Sequence, residues 1–437
     1  MESLVIVGAG VLIALVLLLL GVPVAFALGV TGLLGITVLR GLDITQAFLL
    51  FVPFSTIASW SLVLVPLFIA MGNFAGKAGI SSRAFDIAYK LIGNIRGGLA
   101  LAAILACAVF AAVTGSGAAT VTTIGKVSIP EMLKRRYSPR LTTGCVASAA
   151  FLGIEIPPSI PLVIYGFIAE QSIGKLFVAS LFPGIITATL FILGTYLMAR
   201  KWPILGPPSG IKVPVREKIV ASFGLWEIGF LFTVVIGGIY LGILTATEAA
   251  TFGALTALIM LLARVRKGHR EAISEAMKDA ANVSCSIFII FLGAMFFNIF
   301  LIQAGVPTYV GNLIASSSHS RLILMILILV FYVPLGMFLD PMSIQVVTVP
   351  IFLPIVVSLG YDPIWFGVIV VQMIELSLIT PPVGLNCFIV KGISPPEVSL
   401  ADVFIGTAPY FVLECIVIVL LVMFPDIALW LPSKMFV

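Results

Sequence analysis

Two short stretches of this 437-residue chain combine prolines with hydroxyl residues inside otherwise apolar sequence: Ile156-Pro157-Pro158-Ser159 and Thr380-Pro381-Pro382-Val383-Gly384. Proline has no N–H to donate, and its ring clashes with the carbonyl four residues earlier, so each pair breaks a helix and frees carbonyl oxygens. Carbonyls beside Ser or Thr hydroxyls suit a hard cation such as sodium. The half-helix amino ends left at a break carry partial positive charge suited to a carboxylate. The plainer alternative is that each Pro-Pro merely kinks a packed helix. Two breaks in matching positions favour a site.

Acids inside apolar sequence are the second signal. Glu155, Glu248, Asp340, Glu375 and Glu414 lie in or beside apolar runs, where an ionised carboxylate is expensive. Each could instead mark a helix end or a hydrogen-bonded core group. Glu248, in Thr245-Ala246-Thr247-Glu248, reads as an acid in a capped first turn. Asp340 falls at a Gly-containing break and Glu375 shortly before the second Pro-Pro, so those two are the better functional candidates. His269 and His319 fall in polar connections, and the five cysteines lack C-x-x-C spacing, which argues against a zinc site. No phosphate-binding loop, H-E-x-x-H or nucleophile elbow is present, so enzyme chemistry is not expected.

Composition says what must position these residues. The chain is 61% hydrophobic and 10% charged, with a mean hydropathy of +1.22, against about 45–50% and about 25% in soluble domains. Its solvent is lipid; a nucleic-acid binder, a cytosolic enzyme and a disordered regulator are excluded. The run from Leu4 to Leu39 is too long for a cleaved signal peptide and is read as a retained pair of crossings. Further spans are expected at 60–76, 140–170, 174–199, 225–243, 246–263, 283–303, 363–391 and 404–424. Two more stretches, 99–130 and 322–359, are too long for one span. Each is interrupted near its middle, by Thr114-Gly115-Ser116-Gly117 and by residues 335–341.

Basic residues collect on cytoplasmic connections. Lys77, Arg83, Lys90 and Arg96 precede the first long stretch, and Lys126, Lys134, Arg135, Arg136 and Arg140 lie in or beyond its second arm. Starting and ending on one side, it is read as a re-entrant hairpin. Counting onward past Lys212, Arg266 and Lys267 puts 322–359 on the opposite side, flanked only by Arg321, and puts both termini in the periplasm. Pro130, Pro139 and Pro157-Pro158 recur 224 residues later as Pro354, Pro363 and Pro381-Pro382. The expected fold is therefore an all-α polytopic membrane protein. It has an inverted repeat with two re-entrant helical hairpins and two Pro-Pro-interrupted helices, a plan used by secondary transporters.

At these segments the chain resembles the large membrane subunit of tripartite ATP-independent periplasmic (TRAP) transporters, the DctM-like family. The resemblance rests on Gly115-Ser116-Gly117-Ala118-Ala119-Thr120 with Ile129-Pro130, Ile156-Pro157-Pro158-Ser159-Ile160-Pro161, Gly336-Met337-Phe338-Leu339-Asp340-Pro341, and above all Leu378-Ile379-Thr380-Pro381-Pro382-Val383-Gly384-Leu385-Asn386. It implies a small four-helix membrane subunit and a soluble periplasmic substrate-binding protein as partners. It also implies uptake of a small organic acid across the bacterial inner membrane, sodium as coupling ion with no other cofactor, and an elevator mechanism. Residues 1–76 and 201–282 would be scaffold helices. Residues 77–200 and 283–437 would be the two transport repeats, each holding one hairpin and one broken helix (99–130 and 140–170; 322–359 and 363–391).

Carried onto this sequence, one sodium site would pair Gly115 and Ser116 with Ile156, Pro157, Pro158 and Ser159. A second would pair Gly336, Met337 and Asp340 with Thr380, Pro382, Gly384 and Asn386. Substrate would lie near Ser116, Thr120 and Asn386. Glu155 departs from the apolar residue expected before the first break; it could tune ion coupling, as could Glu375, or face a basic partner. A stand-alone carboxylate carrier of the same plan is the nearest alternative, and an ion channel with carbonyl-lined breaks a more distant one.

Overall fold

The computed structural model describes residues 2–208, 213–265, 268–309, 320–337 and 339–435. Lys212, Arg266, Lys267, His319 and Phe338, which figured in the reading above, lie outside the described residues. Among the described residues the chain is helices and connections, without strands. The helices are α1 Glu2–Leu19, α2 Val24–Arg40, α3 Leu42–Ile57, α4 Leu64–Lys77, α5 Ile80–Ile92, α6 Gly98–Thr114, α7 Gly117–Lys134, α8 Pro139–Ala149, α9 Leu152–Glu155, α10 Ile160–Ile168 and α11 Ile173–Lys201. They continue as α12 Val215–Phe223, α13 Trp226–Phe232, α14 Gly238–Tyr240, α15 Ala246–Arg264, α16 His269–Gln303, α17 Arg321–Gly336, α18 Pro341–Ser358, α19 Pro363–Ser377, α20 Leu385–Ile393, α21 Leu400–Met423 and α22 Asp426–Leu429.

Five of these, α11, α15, α16, α18 and α21, are long and apolar enough to cross a membrane. Three bent pairs join them: α4 with α5 at 62°, the α8–α9 segment with α10 at 47°, and α12 with the α13–α14 segment at 42°. Large apolar side chains point outward along the bundle, among them Leu50, Phe51 and Phe54 on α3 and Val412, Val419 and Met423 on α21. Lipid tolerates that surface where water would not. Helix α3 was not among the expected spans, because Asp43, Thr45, Gln46 and an internal Pro53 dilute its apolar run.

Helix starts follow local chemistry. Proline stands in the first turn of α8, α10, α18 and α19, where its missing N–H has no partner to lose. Thr245 and Glu248 form a reciprocal capping box at α15, the structural role expected for Glu248. Both long interrupted stretches fold as hairpins, α6–α7 and α17–α18. Helix α6 is buried on nearly every side, in keeping with its Ala- and Leu-rich, all-round apolar sequence.

Two groups of helices can be traced in the packing, joined where α4 meets α6 and α10 and where α16 meets α18. Helix α16 lies along α2, α3 and α4, with α15 against α4. Helix α8 lies along α21, and α6 packs against α5, α7, α8, α9 and α11. The α8–α21 crossing is set by glycine: a Cβ on Gly144 would meet the Gly406 carbonyl oxygen at 2.1 Å, and one on Gly406 would meet that of Arg140 at 2.0 Å. The boundary expected between 282 and 283 falls inside α16, a single helix of 35 residues. At 1.5 Å per residue it is about 50 Å long, well beyond a bilayer core, and its polar first turns (His269, Arg270, Glu271, Glu275) continue the apolar span without a break.

Candidate functional site

The first break and the first hairpin tip meet directly. Helix α6 stops at Gly115, whose φ of 62° is open to glycine without strain; a Cβ there would lie 2.7 Å from the Pro158 carbonyl oxygen. The Gly115 carbonyl accepts the Ile160 N–H at 3.1 Å, stitching the tip to the start of α10. Ser116 caps α7 by accepting the Ala119 N–H at 3.4 Å, and buried Ser159 caps α10 by accepting that of Leu162 at 3.3 Å. Ile156, Pro157 and Pro158 complete this segment, with both prolines buried. Thr120 differs from expectation. Its fully buried hydroxyl donates to the Ser116 carbonyl at 2.9 Å and lies 3.0 Å from that of Thr114, so it braces the tip from within.

The second half is built from α17–α18 and the α19–α20 break. Asp340 caps α18: one carboxylate oxygen accepts the Met342 and Ser343 N–H groups at 3.0 and 3.2 Å, and the other accepts the Ser343 hydroxyl. Gly336 presses on α19, where a Cβ would overlap the Ser377 hydroxyl, and Met337 follows, half-buried in the turn. Across the break, the Thr380 hydroxyl donates to the Leu376 carbonyl at 2.8 Å, leaving its lone pairs free. Gly384 is buried with φ 56°, while Pro382 is exposed. The Asn386 N–H reaches back to the Leu378 carbonyl at 3.1 Å, and its buried side-chain amide nitrogen has no partner. Both Pro-Pro bonds are cis.

The two halves enclose one cavity of about 130 Å³. Gly115, Ser116 and Gly117 line it from one tip and Ile160 and Pro161 from the first break; Asp340 and Pro341 line it from the other tip, and Leu385 and Asn386 from the second break. These are the amino ends of α7, α10, α18 and α20. The ends of α7, α10 and α20 each carry roughly half a positive charge, while that of α18 is already met by the Asp340 carboxylate, which lines the same space where no Lys or Arg does. The first-turn N–H groups of the other three ends can meet a small anion. Among the described residues no three His, Cys, Asp or Glu side chains gather as metal ligands; a cation here would be held by carbonyl and hydroxyl oxygens.

A cleft of about 330 Å³ between α4, α16 and the first hairpin shares Ser116 and Ile160 with this cavity. A second cleft, of about 530 Å³, lies at the other end of α16 beside Glu170, Gln171, Ser172 and Asn298, and shares no lining residue with the cavity. Helix α16 lines both, through Asp279 and Val283 in one and Phe291 to Asn298 in the other.

Behind the cavity sit the buried acids. Glu155 accepts hydrogen bonds from the Thr187 hydroxyl at 2.8 Å and from the Gln372 amide, and among the described residues it forms no ion pair. Glu375 and Glu414 are buried with both oxygens unpartnered. Gln372 and Thr187 went unnoticed in the sequence reading, although an amide and a hydroxyl in apolar spans were visible there.

Comparison with known proteins agrees with this architecture. The profile of the family described as "Tripartite ATP-independent periplasmic transporter, DctM component" matches residues 11–427. The chain is 31% identical to the C4-dicarboxylate TRAP transporter large permease protein DctM of Rhodobacter capsulatus, over 97% of this chain and 98% of that one. It is 34% identical to the isethionate TRAP transporter permease protein DctMQ of Oleidesulfovibrio alaskensis over 87% of its length, spanning 60% of that longer protein. In structure it resembles the Alcanivorax borkumensis YdaH transporter, with a TM-score of 0.56 at 13% identity, over 87% of this chain and 89% of that one. These relatives are transporters rather than enzymes, and this multi-pass membrane chain belongs to the DctM component family of TRAP transporters.

Proposed function

We propose that the chain is the large subunit of a sodium-coupled uptake system for a small organic anion, working across the bacterial inner membrane with a small membrane subunit and a periplasmic binding protein. The observation that carries this reading is the convergence of three open helix amino ends, with a fourth capped by Asp340, on one cavity without a basic side chain. That arrangement suits a carboxylate that must be held and then let go, since it offers dipoles rather than a fixed countercharge. The relatives named above include permeases for C4-dicarboxylates and isethionate, all small anions.

Sodium would be held where tip meets break, by Gly115 with Ile156 to Ser159 and by the Gly336–Asp340 tip with Thr380, Gly384 and Asn386. Substrate would lie against Ser116 and Asn386. The two hairpins would enter from opposite faces as an inverted repeat, with the Lys77 face cytoplasmic and both termini periplasmic. The set packed around α6, α8 and α21 would move against α2, α4, α15 and α16 as an elevator, and an inward-facing state would be one in which the cavity opens at Ser116 into the Lys77-side cleft. Glu155 and Glu375, behind the breaks, would tune coupling.

The test is uptake into proteoliposomes holding this chain and its small subunit, with binding protein and labelled succinate outside. The expected result is accumulation under an inward sodium gradient that disappears when potassium replaces sodium or the binding protein is omitted. Undiminished uptake in potassium would overturn sodium coupling. Uptake without binding protein would instead indicate a stand-alone carrier.

A further inference from the structure

The cleft that meets the cavity at Ser116 has an uneven charge pattern. Lys77 is the one cation lining it, Asp279 the one anion, and Asn73, Thr114, Ser116 and Thr123 supply polar groups between them. Lys77 is the last residue of α4, an end whose free carbonyls favour a cation. Its ammonium pairs with Glu275 of α16, with side chains 39% and 62% exposed. One turn earlier, the Asn73 amide donates to the Ala276 carbonyl at 3.0 Å, which fixes the spacing of α4 and α16 independently of the ion pair. The scaffold wall therefore does not need the Lys77–Glu275 contact to stay closed.

An exposed ion pair of this kind contributes about 0–1 kcal/mol. A second carboxylate can thus take the place of Glu275 on Lys77 at little cost. An anion leaving the helix ends also loses their favourable potential as it enters a mostly apolar cleft, where an unpaired charge is expensive. Asp279, one turn beyond Glu275 on α16, repels it from that side and leaves Lys77 as the position where its charge is met.

We propose that Lys77 is an anion-relay residue, exchanging the Glu275 carboxylate for that of the departing organic anion between the cavity and the open end of the cleft. This rests on reading the cavity as the site of a small organic anion and adds a second binding position for it. Lys77 binds and passes on; no bond is made or broken.

The test reads Lys77 directly. The full chain in proteoliposomes is treated with an amine-reactive label, and labelling of Lys77 is followed by mass spectrometry with and without succinate, using erythritol as the uncharged control and exposed Lys201 as the internal reference. Succinate is expected to slow labelling of Lys77 several-fold while leaving Lys201 and the erythritol samples unchanged. Glu275→Gln removes the resting partner, so the succinate concentration giving half-protection should fall several-fold. Equal slowing at Lys77 and Lys201, no slowing at all, or a half-protection concentration unmoved by Glu275→Gln would each overturn the relay. Succinate uptake by the same unmodified proteoliposomes with binding protein scores the transport reading separately, because labelling needs no turnover.

Discussion

Asp340 serves two ends at once, and its substitutions separate them. As the cap of α18 it satisfies two N–H groups and a hydroxyl; asparagine keeps a cap and removes the charge. Asp340→Asn should therefore fold normally while weakening the sodium dependence of uptake, whereas Asp340→Ala should also lose about 1 kcal/mol of stability. Thr380→Ala removes a hydroxyl whose lone pairs are free, and should raise the sodium concentration for half-maximal uptake by about tenfold, or about 1.4 kcal/mol. Uptake titrations against sodium check both, and curves matching wild type would remove these residues from the ion site. At Glu155, glutamine can still accept from Thr187, whereas leucine leaves two buried donors unpaired at about 1–3 kcal/mol each; thermal unfolding should rank leucine well below glutamine. The sequence already exposed these acids, because a charged residue in an apolar span stands out. It did not reveal what each one faces. Thr120 looks like a ligand in the string Gly-Ala-Ala-Thr, yet one helical turn returns its hydroxyl to the Ser116 carbonyl, a contact decided by rotamer rather than by residue type.

Elements were legible where proline and glycine punctuate apolar runs. Gly115-Ser116, the 335–341 interruption and the Pro-Pro pairs marked both tips and both breaks within a few residues, since no uninterrupted helix passes through them. Helix α3 and the amphipathic α5 were missed, the first because Pro53 and early polar residues lower its hydropathy. The second escaped because its apolar stripe (Ile80, Ala84, Phe85, Ile87, Ala88) is helical in period but too polar overall for a span. Nor did the sequence announce how α8 meets α21. Gly144 and Gly406 lie far apart in the chain, and only the crossing shows that each leaves room for the other's backbone. Gly406→Leu cannot be accommodated there without separating the helices, and should cut the yield of folded protein sharply in detergent thermal-shift measurements. Leucine at lipid-facing Val412 is expected to be neutral in the same assay.

At the scale of the molecule, Glu227 ties three parts of the chain together. Buried to 5% side-chain exposure, it pairs with Arg83 of α5 at 2.8 Å and with Arg264 of α15. Both arginines are partly open to water (29% and 46% exposed), so Glu227→Ala removes charge-assisted hydrogen bonds of about 1.5–3 kcal/mol without stranding a buried charge, and should lower the unfolding temperature moderately. Because the Arg83 pair reaches α5 on the α6 side and the Arg264 pair reaches α15, Glu227→Asp should lower both stability and the uptake rate per folded molecule, which thermal unfolding and uptake measure separately. Helix α16 carries a consequence of its own. From Asp279 in one cleft to Asn298 in the other it rises about 28 Å, close to the thickness of the hydrocarbon layer. One continuous rod thus acts as a ruler that keeps the two openings in fixed angular register. A single residue inserted near Ile289 would turn everything beyond it by about 100°. Asn298 would then swing off its cleft while Asp279, on the near side of the insertion, stayed in place, uncoupling one cleft from the other.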